Sequence, residues 1–90
     1  MDQINESELA EYMENSAVTS LEIRELEDSN FILIVTLNWR NNPCVVASYR
    51  KSMRRWASLN NLVKFIKNIN KKNLIIPISI NIFFRESHET

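Results

Sequence analysis

Apolar side chains recur along this chain with two periods, 3.6 and 2, and each marks a different kind of element. Over residues 4–15, Leu9, Tyr12 and Met13 share one helical face, and Asn5 with Glu8 three residues on makes a reciprocal cap. From Val18 to Glu27 the pattern alternates around Leu21 and Ile23. Asp28-Ser29-Asn30 then turns the chain, and Phe31 to Trp39 is a strongly β-prone run, so the pair reads as a hairpin. Asn41-Asn42-Pro43 is the next turn, its asparagines tolerating positive φ, and Cys44 to Lys51 reads as a third strand. Ser58 stands as N-cap before Leu59, Leu62, Val63, Ile66 and Ile69, while Asn60, Asn61, Lys64 and Lys67 take the opposite side. After a polar connection over Asn68 to Asn73, Leu74, Ile76, Ile78, Ile80, Ile82 and Phe84 alternate with polar positions as a last strand. Pro77, which cannot donate a ladder hydrogen bond, predicts that the strand lies at a sheet edge or ends in a bulge.

These elements predict an α+β fold in the order α-β-β-β-α-β. An antiparallel sheet of three or four strands packs one face against the helix that starts at Ser58. Residues 1–90 form one domain, with an acidic N-terminal helix over 1–16, the sheet and helix core over 17–85 and a polar tail over 86–90. The first helix covers an edge or reaches to a partner. An apolar edge strand invites pairing with a second copy, so a homodimer is an expectation.

At 44% hydrophobic, 90 residues supply one modest core. The first fifteen residues are acidic and polar, unlike a signal peptide, and no apolar run approaches the roughly 20 residues of a membrane helix. The single cysteine, Cys44, has no partner for an internal bridge. A cytoplasmic protein without membrane partners is the expectation. The chain contains no glycine, which excludes the phosphate cradles that need a closely approaching backbone. The only histidine, His88, sits in the polar tail, so no metal-ligand spacing and no Cys/His or Ser/His pair arises. Glu6, Glu11 and Glu14 read as a solvated helix face rather than acid/base machinery. The chain reads as a binding protein, not an enzyme, with no metal and no cofactor.

Charge sharpens that reading. Between Arg40 and Arg85 lie ten lysines and arginines and no acid, whereas residues 1–39 carry nine acids against Arg24 alone. The net charge of zero hides a dipole. A basic half points to an anionic partner, most often nucleic acid, and the acidic half either repels that partner or folds back over the basic surface. An AT-rich gene enriches lysine, asparagine and isoleucine without functional demand, but it does not remove acids from forty-six consecutive residues. The densest stretch runs from Tyr49 to Leu59. Arg50, Lys51, Arg54 and Arg55 are candidates for neutralising phosphates, with Arg40, Lys64 and Lys67, and further on Lys71 and Lys72, extending the surface. Tyr49 and Trp56 are candidate stacking rings. Trp56 weighs toward a core residue that staples the helix, Tyr49 divides between core and stacking, and Trp39, in phase with Phe31, Leu33, Val35 and Leu37, reads as core. Adjacent Arg54 and Arg55 cannot both be buried without partners, so at least one faces solvent.

Leu37-Asn38-Trp39-Arg40, Tyr49-Arg50-Lys51, Arg54-Arg55-Trp56-Ala57-Ser58-Leu59 and Asn60-Asn61-Leu62 together resemble the small ParC-like partition-associated proteins of plasmids and integrative conjugative elements. The shared features are a hairpin, a basic strand, an arginine, an aromatic, and a Ser-Leu-x-x-Leu helix start, over roughly residues 30–70. The resemblance implies an accessory or regulatory protein of a mobile genetic element. The leading expectation is a non-enzymatic nucleic-acid-binding protein. The alternative is an interaction adaptor or inhibitor that self-associates or docks an acidic protein.

Overall fold

A computed structural model describes residues 1–70 and 79–85 of the chain. The described elements, in order, are β1 (Asp2–Ile4), α1 (Glu6–Glu14), β2 (Val18–Glu25), β3 (Phe31–Leu37), β4 (Cys44–Val46), α2 (Leu59–Ile69) and β5 (Ile80–Phe83). They build an α+β fold with one five-stranded sheet in the order β1-β4-β3-β2-β5. The predicted strand positions 74–78, Lys71, Lys72 and the polar tail lie outside the described residues.

The sheet is mixed, which corrects the antiparallel sheet of three or four strands. The three central strands pair antiparallel as predicted, but β1 joins β4 and β5 joins β2 in parallel. A parallel partner lies far along the chain, beyond a crossover, so local alternation carries no trace of it. The order also gains a strand ahead of the first helix. That strand is three residues long with only Ile4 buried, too little to register as a pattern.

Both helices cover one face. Leu9 and Met13 of α1 and Leu62 and Ile66 of α2 close over Ile4, Leu21, Ile23, Leu33, Val35, Leu37, Cys44 and Val46. The first helix is therefore built into the core rather than decorating an edge. On the other face Ile32, Ile34 and Val45 are buried beneath Leu26 and Met53. Burial on both faces explains why β3 is an unbroken apolar run instead of an alternating one.

Local chemistry fixes the element ends. Asn5 and Glu8 form the reciprocal cap of α1, each side chain accepting from the other's backbone N–H. At its other end the Ala17 amide donates to Tyr12 O and the Ser16 amide to Met13 O, a six-to-one and five-to-two closure with Ser16 at φ 58°. Ser58 caps α2 by accepting from the Asn61 amide. Among the described residues no helix is long and apolar enough to cross a membrane.

Candidate nucleic-acid interface

The third strand does not continue to Lys51. After Val46 the chain leaves the sheet as a small hairpin, closed by the Ala47–Met53 bridge and by Ser48 N–H to Ser52 O at 2.7 Å. It returns to β3 at Trp56, whose backbone exchanges two hydrogen bonds with Phe31. The tip is the three-residue loop Tyr49-Arg50-Lys51, in which Lys51 takes φ 64° and its amide donates to Ser48 O. That is a turn followed by a left-handed residue, the usual solution for a three-residue hairpin, here without glycine. Leu26 to Asn30 repeats the same bonding, with Ser29 at φ 68°. The sheet thus carries an acidic tip, Glu27-Asp28, and a basic tip, Arg50-Lys51, at one end, the end where β3 starts and β4 stops.

The bases divide into paired and unpaired groups. Arg54 lies 4.7 Å from the ring centroids of both Trp56 and Phe65 and pairs with Glu6 at 3.2 Å. Arg55 is exposed and pairs with Asp28 at 3.6 Å. The Asn30 amide, foremost, and the Arg55 charge hold the Asp28 carboxyl below the ordinary carboxylate range, against a smaller opposing effect of desolvation. Arg40 donates to Cys44 Sγ at 3.3 Å, which raises its already high pKa, and pairs with Asp2 at 3.4 Å. It sits beyond the end of β3, at the opposite end of the sheet from Arg54 and Arg55. Seven residues of strand separate the two ends, roughly 20 Å, so Arg40 does not extend the hairpin surface. Each of these three pairs joins an acid of the N-terminal half to a base of the C-terminal half. The acidic half folds back over part of the basic half within one chain.

Arg50, Lys51, Lys64 and Lys67 are exposed and form no ion pair among the described residues. Tyr49 stands 92% exposed beside Arg50 and Lys51, which decides its role against the core. Trp56 is buried and packs on Phe65, with ring centroids 5.0 Å apart, so it is a core staple whose exterior is capped by the Arg54 guanidinium. Trp39 corrects the expectation of a core residue. The strand stops at Leu37, the period-two phase ends with it, and Trp39 is 56% exposed, held edge-on to Tyr12 and under Arg40. Phase along a strand predicted its side only as far as the strand runs. Arg54 reaching Phe65 sets that face of α2 against the base of the hairpin. Lys64 and Lys67 lie on other faces of the helix, and Lys67, two residues on, takes nearly the opposite side. Lys67 also suits the C-terminal turn of a helix on electrostatic grounds alone. No protein-family model and no curated protein matches this chain.

Proposed function

We propose that this chain is a non-enzymatic accessory or regulatory protein that binds nucleic acid through Arg50 and Lys51 of the hairpin tip, with Lys64 and Lys67 of α2 as further phosphate contacts. The observation that carries this reading is the tip itself. It presents an exposed ring and two cations that no acid of the chain neutralises among the described residues, whereas Arg40, Arg54 and Arg55 each face a carboxylate. Unpaired cations release counterions when they meet phosphates, and paired ones must first give up a partner. The likeness of residues 30–70 to ParC-like partition-associated proteins supports a place on mobile DNA. The test is binding of labelled single-stranded DNA, followed by anisotropy. Arg50→Ala with Lys51→Ala lowers affinity by about tenfold at low salt and leaves the unfolding midpoint in place, while Arg40→Ala leaves affinity unchanged. Unchanged affinity in the double variant removes the hairpin from the interface.

The edge strand β5 favours a second reading, self-association. Ile82, Phe83 and Phe84 are 41%, 50% and 62% exposed. No charged side chain occurs from Ser79 to Phe84, so this stretch lacks the charges that discourage edge pairing. A two-fold axis through Ile82 and normal to the sheet would set Ile82 beside its own copy and Ile80 opposite Phe84, an apolar match with no like charges opposed. The occupant of this edge is then a second copy of the chain.

A further inference from the structure

A cleft of about 640 Å³ opens between the start of α1 and the 48–52 hairpin, within the size range of small-molecule sites. Its lining is chemically divided. Lys51 and Arg54 supply positive charge, Glu6 and Glu8 supply carboxylates, and Tyr49, itself almost wholly exposed, is among the lining residues. An occupant that satisfies all three must offer an anion, hydrogen-bond donors and a flat apolar face together. Inorganic phosphate meets only the first condition and faces repulsion from the acids. A duplex lacks the free base face, since its bases are stacked on both sides, and it shows only one amine hydrogen per base, within the major groove.

We infer that the cleft takes one unpaired nucleotide bearing an exocyclic amine, adenine, cytosine or guanine, from a single strand. Its base stacks on Tyr49, its phosphate lies between Lys51 and Arg54, and its amine donates to the carboxylates of Glu6 and Glu8, the pairing by which acids read amino groups on bases. Thymine and uracil carry carbonyl oxygens where the amine would be and set acceptor against acceptor. Two rings and Glu6 fix the orientation of Arg54, and because Glu6 occupies only one guanidinium nitrogen the remaining N–H groups are left for a phosphate, with Lys51 the unpaired cation beside it. This inference rests on the proposed nucleic-acid function and adds strand state and base class to it.

The test is an anisotropy titration of short labelled oligo(dA), oligo(dC), oligo(dT) and an oligo(dA)·oligo(dT) duplex at fixed low salt with the intact chain. Oligo(dA) and oligo(dC) should bind at least fivefold tighter than oligo(dT) and the duplex. Tyr49→Ala should cost oligo(dA) between about fivefold and a hundredfold, the range that base–ring stacking carries, and cost the duplex little. Glu6→Ala should narrow the gap between oligo(dA) and oligo(dT), because it removes an acceptor and frees Arg54 for either phosphate. Equal binding of all four ligands, or a Tyr49→Ala variant that binds oligo(dA) normally, overturns the cleft while leaving backbone binding intact. Absence of binding to any of them overturns both.

Discussion

Lys51 takes a left-handed backbone where a hairpin of this length would ordinarily place glycine. For an L-residue with a Cβ that conformation costs roughly 1–2 kcal/mol, which glycine would avoid at the expense of a more disordered unfolded chain. Lys51→Gly is therefore expected to raise stability by up to about 1 kcal/mol in a urea titration while weakening DNA binding. A loss of stability, or full binding, would speak against a lysine kept there for its charge. Asp28 makes a different prediction. Its carboxyl is held below the ordinary range in the folded state, so its stabilising contribution is present above the unfolded pKa and is lost as pH falls through the lower folded value. Asp28→Asn should flatten that acid limb, with urea midpoints falling less steeply on acidification than in the parent chain. An identical acid limb would remove Asp28 from the account. At this scale the sequence separates charges from rings poorly. Tyr49, Trp39 and Trp56 occupy similar mixed surroundings in the chain, and only the points where strands stop decide that the first two are exposed and the third is buried.

The helices are the most legible elements, because caps and a 3.6-residue stripe are local facts. Asn5, Glu8 and Ser58 do in the fold what their spacing predicts. The hairpin is hidden for the opposite reason. Val45, Ala47 and Tyr49 continue an alternation that would suit a longer strand, and the return of Trp56 to Phe31 is a pairing twenty-five residues apart. The parallel edges are equally silent, since each depends on where the chain comes back rather than on what it contains. Burial also changes the standing of α1. Leu9 and Met13 lie in the main core with Ile4, so the acidic N-terminal segment is part of the folding unit and not a detachable arm. The exposed edge of β5 gives the prediction at this scale. If two copies pair there, Ile82→Lys places like charges on the two-fold axis and shifts sedimentation from dimer to monomer, with circular dichroism checking that the monomer stays folded although Ile82 is paired with core Ile23. The same species with and without the lysine would end the self-association reading.

Across the whole molecule the charge dipole seen in the chain is folded back on itself in part. Three pairs, Asp2–Arg40, Glu6–Arg54 and Asp28–Arg55, tie the acidic half to the basic half at two ends of one sheet. All are partly exposed, and pairs of this kind contribute about 0–1 kcal/mol each, so they shape the surface potential more than they hold the fold. Stability comes instead from the apolar contacts of both helices on the sheet. The sequence predicts a basic surface but not its neutralised part, because a pair such as Glu6–Arg54 joins residues forty-eight apart. What remains unpaired among the described residues is Arg50 and Lys51 beside the exposed Tyr49, with Lys64 and Lys67 exposed on α2, and in the proposed function all four meet phosphates. The slope of log affinity for single-stranded DNA against log salt tests that claim most directly. Four unpaired contacts predict a slope of about −3, halved in the Arg50→Ala, Lys51→Ala variant and unmoved in Arg40→Ala. A flat slope, or equal losses from Arg40 and from the hairpin pair, would contradict it.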